Sequence, residues 1–290
     1  MRPLRLRIQE AARQYGVPQN LIEKDYAMTY ALAGLASHPD LGDTLLFKGG
    51  TALKKVFFGD YRFSEDLDFS ARSTPKDREL ESAIHQAVQH AAELLSEHGP
   101  FSVEVVRRPE QEPHPGGDQD AFLLRVQFPW HPRPLCQIKV EITHDELVVL
   151  APRKRTVIHG YDEDLRPRVS CYQLEEIVAE KLRALLQTHQ NIVARGWGRQ
   201  HARDYYDLWR ILDTFSDTLD AQNISRALKA KAQHRQVSYL GINDFFTDEL
   251  VTTARVQWEG SLSAVVAQLP DCDSTLERLG DLLRRSGVLP

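Results

Sequence analysis

The hydrophobic period of this chain turns from mainly strand-like to wholly helical after Ser170, and that change limits its fold more than any single motif does. From Thr44 to about Ile158 the apolar residues alternate or run in short blocks: "TLLFKG", "EDLDFS", "FSVEVVR", "AFLLRVQFPW", "QIKVEITH" and "ELVVLAP". Such blocks predict strands, and the last two predict a hairpin around His144–Asp145. One helical pattern interrupts them, "DRELESAIHQAVQHAAELLSEHG", ending on Gly99. After Ser170 the strand signals stop, and "CYQLEEIVAEKLRALLQTH", "ARDYYDLWRILDTF", "ISRALKAKAQH", "SLSAVVAQL" and "TLERLGDLLRRS" read as helices. Ahead of the strands, residues 3 to 36 predict two helices broken at "GVPQN", with Asn20 as the cap of the second. The polar, Pro- and Gly-rich "PEQEPHPGGDQD" predicts a mobile loop. The expected architecture is α/β with a mixed sheet, followed by a helical lobe. Its parts are N-terminal helices over 1–40, an α/β domain over 41–165 and a helical domain over 166–290.

A chain of 290 residues with 42% hydrophobic content can bury a core without staples. Cys136, Cys171 and Cys272 are too few and too scattered for a disulfide framework or a cysteine zinc site. The opening "MRPLRLRIQEAARQYG" has helical spacing and no apolar signal core, and no apolar run approaches the roughly 20 residues of a membrane span. A cytoplasmic protein without a membrane segment is expected. The net charge of −5 argues against a surface coated for duplex binding. The charge is uneven, however: residues 150 to 240 hold 15 Lys+Arg against 11 Asp+Glu, and the remainder holds 21 against 30. A phosphate-bearing partner is therefore expected to dock locally. The histidines show no H-E-x-x-H or similar ligand pair.

The stretch "FKGGTALKKVFFGDYRFSEDLDFS" carries the chemistry. In a strand, "EDLDF" sends Asp66 and Asp68 to one face and Leu67 and Phe69 to the other. Two carboxylates so close repel unless a divalent cation neutralises them, and magnesium suits hard oxygen ligands shared with phosphates. In "QIKVEIT", Ile138, Val140 and Ile142 leave Lys139 and Glu141 on the opposite face, which makes Glu141 a third carboxylate. Upstream, Gly49, Gly50 and Thr51 form a strand-to-helix turn whose backbone amides can seat a phosphate. Lys54 follows on the same segment as a further candidate for nucleotide binding. Ser64 lies two residues before Asp66, so its hydroxyl is expected near the nucleotide, where an added phosphate would repel a triphosphate. In "LEEIVAEKLRALL", Lys181 falls within the apolar stripe of Leu174, Ile177, Val178, Leu182 and Leu185. It either snorkels along its stem or reaches across a cleft to phosphate oxygens. In "RDYYDLWRIL", Asp204 and Asp207 share a helix face; they either bridge Arg203 and Arg210 or orient Lys181 or a ribose hydroxyl.

In this order and spacing, a strand, a Gly-Gly-Thr turn, a helix, an Asp-Leu-Asp strand and a later acid on another strand resemble the polymerase-β-like nucleotidyltransferase superfamily. "FKGGTALKKVF", "RFSEDLDFS", "EEIVAEKLRAL" and "RDYYDLW" resemble, more narrowly, the AbiEii/AbiGii nucleotidyltransferase toxins of bacterial toxin–antitoxin and abortive-infection systems, over about residues 20 to 215. The resemblance implies that Asp66 and Asp68 bind magnesium and the nucleoside triphosphate, with Glu141 completing the site. Glu141 departs from the commoner Asp of the superfamily. It implies catalytic roles for Lys181 and Asp204 and nucleotide contacts for Gly49, Gly50, Thr51, Lys54, Ser64, Lys139 and Asp207. It further implies transfer from NTP to RNA, most concretely to the 3′ acceptor end of tRNA so that translation is blocked, with Arg195, Arg199, Arg203 and Arg235 holding the acceptor, and a cognate antitoxin as partner. The rival readings are AMP transfer to a protein side chain, a sugar-nucleotide glycosyltransferase sharing the Asp-Leu-Asp acids, and a non-catalytic nucleotide- or RNA-binding module.

Overall fold

The computed structural model describes residues 2–108 and 118–289. Most of the loop "PEQEPHPGGDQD" lies outside the described residues. The chain divides into two compact units: residues up to Glu146 with Pro152–Cys171, and Leu147–Ala151 with the chain from Tyr172 onward.

The first unit opens with helices α1 (Leu4–Tyr15) and α2 (Gln19–Ser37). Gly16 ends α1 in the left-handed region at φ 64, where the absent side chain removes the steric cost. Helix α2 begins directly after Pro18, so Asn20 stands inside the first turn and not at the cap position expected of it. Proline, with its fixed φ and no N–H to lose, supplies the start instead. Residues 21–35 of α2 are buried almost all round, so its acids need partners. Glu23 accepts from the Trp130 indole at 2.8 Å and contacts His131 Nε2 at 2.9 Å. Asp25 accepts from Lys55 at 2.7 Å and from the Tyr161 hydroxyl at 2.8 Å. Helix α4 (Asp77–Ser96) packs on α2 at Gly34, where a Cβ would stand 2.1 Å from the Ala87 carbonyl oxygen.

Among the described residues seven strands form one mixed sheet. They are β1 (Leu45–Lys48), β2 (Asp66–Ala71), β3 (Ser102–Arg108), β4 (Gln119–Gln127), β5 (Cys136–Thr143), β6 (Arg153–Thr156) and β7 (Arg168–Cys171). Their order is β3-β4-β5-β2-β1-β7-β6. The pairs β2–β5 and β1–β7 are parallel and the others antiparallel. The apolar strands β1, β2 and β5 fill the middle, and the charged β6, "RKRT", takes an edge where lysine and arginine deter further pairing. Strand β7 keeps the sheet unit running to Cys171, beyond the boundary at 165 expected from the sequence.

The hairpin expected around His144–Asp145 does not form. Residues 147–151 leave the sheet unit, and their backbone groups are satisfied by side chains of the helical one. The Val149 and Leu150 amides donate to the Glu176 carboxylate at 3.1 and 2.8 Å, the Leu147 carbonyl accepts from Lys231 at 2.6 Å, and the Ala151 carbonyl accepts from Gln173 at 2.8 Å.

The second unit holds α5 (Leu174–Arg195), α6 (Ala202–Phe215), α7 (Ala221–His234), α8 (Asp248–Leu262) and α9 (Cys272–Ser286). Asp220, Thr247 and Asp271 cap α7, α8 and α9 through their side chains. "SLSAVVAQL", expected as a helix, contributes only the end of α8 and then turns, while the helix "DELVTTARVQWEGSL" lay ahead of it. Among the described residues no helix is long and apolar enough to cross a membrane.

Candidate active site

Strand β2 alternates as its sequence requires: Asp66 and Asp68 are half-buried, while Leu67 and Phe69 enter the core. Strand β5 does the same, burying Ile138, Val140 and Ile142 and leaving Lys139 and Glu141 half-buried. The parallel register then pairs Asp66 with Lys139 and Asp68 with Glu141. Side chains of paired residues on neighbouring strands share a face about 4.8 Å apart. The three acids therefore share one face of the sheet. Burial pushes the Asp66 carboxyl above its ordinary pKa, and the Glu141 charge pushes it further, so the two feel one another.

The Gly-Gly-Thr turn is fitted to these acids. Gly49 has φ 77, and a Cβ on it would stand 2.4 Å from Asp68 Oδ2, so both conformation and space demand glycine. Helix α3 (Gly49–Ala52) starts there and runs into a π-helical turn, Leu53–Phe57. The Thr51 hydroxyl donates a short hydrogen bond to the Asp66 carbonyl, tying the turn to β2. A Cβ on Gly50 would stand 2.4 Å from an Arg62 guanidinium nitrogen. Arg62 is buried and donates to the Phe63 carbonyl at 3.3 Å. It was not singled out in the sequence, although it opens the same "RFSEDLDFS" block.

Glu141 is held on two sides. Lys139 Nζ lies 2.6 Å from Glu141 Oε1, and Gln119 Nε2 donates to the same oxygen at 2.8 Å. Gln119 was also missed, because it arrives from β4 and only the register of β4 against β5 brings it near. Lys54 and Ser64, two of the expected nucleotide contacts, are buried. The Lys54 ammonium is buried 3.9 Å from the Phe63 ring centroid and 3.5 Å from the Tyr61 carbonyl, a packed cation. Ser64 is buried, so a modifying enzyme reaches its hydroxyl only after local opening.

In the helical unit, Lys181 of α5 does not snorkel. Its ammonium lies 2.9 Å from Asp204 Oδ1 and 2.7 Å from Asp207 Oδ2, both on α6 and both buried. Arg199 makes a short contact to the other oxygen of Asp204. Burial pushes the Asp204 carboxyl up, but Arg199 and Lys181 outweigh it and hold the pKa below the ordinary range. The two acids are thus buried with Lys181 and are not the exposed pair of the alternative reading. Arg203 donates to the Ser261 carbonyl at 3.1 Å.

Residues 30–285 match the family described as the nucleotidyl transferase AbiEii toxin, of a type IV toxin–antitoxin system. The chain belongs to that family. It is a nucleotidyltransferase toxin, as the order of its motifs implied. The AbiEii-family chain is also similar in fold to MenT4, a nucleotidyltransferase toxin from Mycobacterium tuberculosis H37Rv, at 22% identity and a TM-score of 0.59, over 93% of this chain and 88% of that one. Among curated proteins none matches it.

Nucleotidyltransferases of this kind typically use a divalent metal. Among the described residues no group of three or more His, Cys, Asp or Glu side chains is already gathered as a cage. The hard carboxylates of Asp66 and Asp68 fit such an ion; burial first and the Glu141 charge second raise Asp66, and a cation relieves the repulsion. Glu141 fits only after release from Lys139, which now supplies its counter-charge.

Proposed function

We propose that this AbiEii-family enzyme transfers a nucleotide from a nucleoside triphosphate to RNA in a magnesium-dependent reaction, with the 3′ acceptor end of tRNA as substrate and arrest of translation as outcome. The observation carrying the reading is the register of β2 on β5, which aligns Asp68 with Glu141 beside a glycine that Asp68 itself keeps bare.

In this reading Asp66 and Asp68 hold magnesium, with Glu141 completing the set. The ion, when bound, supplies charge neutralisation of the triphosphate. Gly49, Gly50 and Thr51 receive phosphate oxygens through backbone amides, and Arg62, packed on Gly50, adds positive charge behind them. Lys139 exchanges its carboxylate partner for the nucleotide, leaving Glu141 free to accept the proton of the acceptor hydroxyl. That oxygen bonds to the α-phosphorus while the α–β bridge breaks and pyrophosphate departs. Lys181 and Asp204, with Asp207, take part through the trio of the helical unit. A cognate antitoxin neutralises the enzyme, and both act in the cytoplasm.

Incubating the protein with each labelled nucleoside triphosphate in turn, total RNA and magnesium tests the reading. Label is expected on RNA and is expected to vanish in Asp66→Ala. Absence of label with every nucleotide, label on protein in place of RNA, or label undiminished in Asp66→Ala refutes it.

A further inference from the structure

From the last residues of α5 into its connection to α6 the chain runs Val193-Ala-Arg-Gly-Trp-Gly-Arg199, two cations without an acid, in a protein of net charge −5. Trp197 leaves 61% of its surface in solvent and Val193 68%. Arg195 is exposed, and the Arg199 side chain is 54% exposed. An indole left in water forgoes one of the largest burial gains open to any side chain.

The segment is built to present that ring. Gly196 closes α5 in the left-handed region at φ 75, with its amide donating to the Ile192 carbonyl at 2.8 Å. Gly198 presses on the flank of α5: a Cβ there would lie 2.9 Å from both Thr188 Cγ2 and Ile192 Cγ1. Trp197 thus rides between two glycines whose positions are fixed by helix geometry. Arg199 is anchored to Asp204, the same carboxylate that binds Lys181.

We infer that residues 193–199 form a stacking platform for the single-stranded end of the RNA acceptor. This rests on the RNA reading proposed above. A base lies on the Trp197 indole, and Arg195 and Arg199 neutralise the phosphates on either side; aromatic stacking with flanking cations suits single strands and tolerates any base. A protein partner would ask for a contiguous apolar surface around the ring, whereas within the segment Val193 is the one other large exposed apolar side chain and Arg195 and Arg199 stand on either side of the ring in sequence. The tie from Arg199 through Asp204 to Lys181 couples the platform to the trio assigned to the reaction.

The test uses the full chain without nucleotide or metal, a fluorescein-labelled single-stranded RNA with a free 3′ hydroxyl, and a blunt RNA duplex as contrast. Anisotropy reports affinity, and quenching of intrinsic tryptophan fluorescence reports stacking. Trp197→Ala is expected to weaken single-strand binding by about 5- to 100-fold and to abolish most of the quenching. Trp197→Phe is expected to keep affinity within about threefold, and Arg195→Ala to reduce the slope of log K against log salt by about 0.7. Wild-type affinity in Trp197→Ala, equal losses for strand and duplex, or no RNA binding by the wild-type chain overturns the inference; in the last case, antitoxin binding lost in Trp197→Ala identifies a protein-docking surface. RNA binding that depends on Trp197 in a chain that transfers no label keeps this inference and sinks the catalytic one. Undiminished transfer to RNA by Trp197→Ala does the reverse.

Discussion

Gly49 shows how tightly one residue can fix a site. Its φ of 77 disfavours any side chain, and Asp68 occupies the space a Cβ would take. Gly49→Ala is expected to cost about 1–3 kcal/mol, read as a lower thermal midpoint. It is also expected to reduce nucleotide transfer more than stability alone explains, because the clash is with a proposed metal ligand. Thermal melts beside the labelled-transfer assay check both, and a variant that is stable and fully active contradicts the fit of turn to acid. At this scale the sequence was legible wherever a period decides the outcome. The alternation in "EDLDF" and "QIKVEIT" put Asp66, Asp68 and Glu141 opposite the buried faces of their strands, as the burial of their neighbours shows. Gln119 and the Arg62–Gly50 contact were not legible, since each depends on a meeting of distant or folded-back chain that no local spacing encodes.

Among elements, α5 and α6 owe their pairing partly to charge. Lys181 stands in an otherwise apolar stripe and is compensated by two acids a helical turn apart on α6. Removing one partner of a buried ionic group leaves the rest uncompensated, at about 3–5 kcal/mol. Lys181→Met is therefore expected to destabilise the helical unit by that order, and adding Asp207→Asn is expected to restore part of the loss. Urea unfolding followed by circular dichroism tests this, and a double variant less stable than Lys181→Met rules it out. The elements misread from the sequence share one cause: their partners are not strands or apolar faces. "ELVVLAP" has the composition of a strand but gives its backbone groups to Glu176, Lys231 and Gln173. Conversely, "RKRT" has almost no strand character and becomes β6 because β7 pairs with it. Helix α8 carried a start signal in Thr247 with Asp248 and Glu249, but its apolar stripe is thin, so the denser run after it drew the prediction.

The sheet unit as a whole is drawn together at a buried carboxylate far in sequence from the acids of β2. Glu163, in the connection from β6 to β7, accepts from Arg7 of α1 at 2.7 Å and from Tyr26 and Tyr30 of α2 at 3.0 and 2.9 Å. His159 Nε2 lies 2.7 Å away and His98, just past α4, at 3.7 Å. Burial pushes the Glu163 carboxyl up, but the hydrogen bonds from His159, Arg7 and Tyr30 outweigh it and hold its pKa at about 2, against an ordinary 4.5. A carboxyl with a depressed folded pKa contributes stability that is complete above the unfolded value and is lost as pH falls toward the folded one. The contribution of Glu163 is thus full above about pH 4.5 and gone near pH 2. Glu163→Gln keeps the shape but not the charge, so it is expected to melt below the wild-type chain at pH 7. Below about pH 4.5 the unfolded chain takes up a proton that the folded carboxylate does not, so the gap should narrow steadily between pH 4.5 and pH 2. A gap that stays constant over that range means that Glu163 contributes shape alone, and then its charge has no part in holding the helices to the sheet.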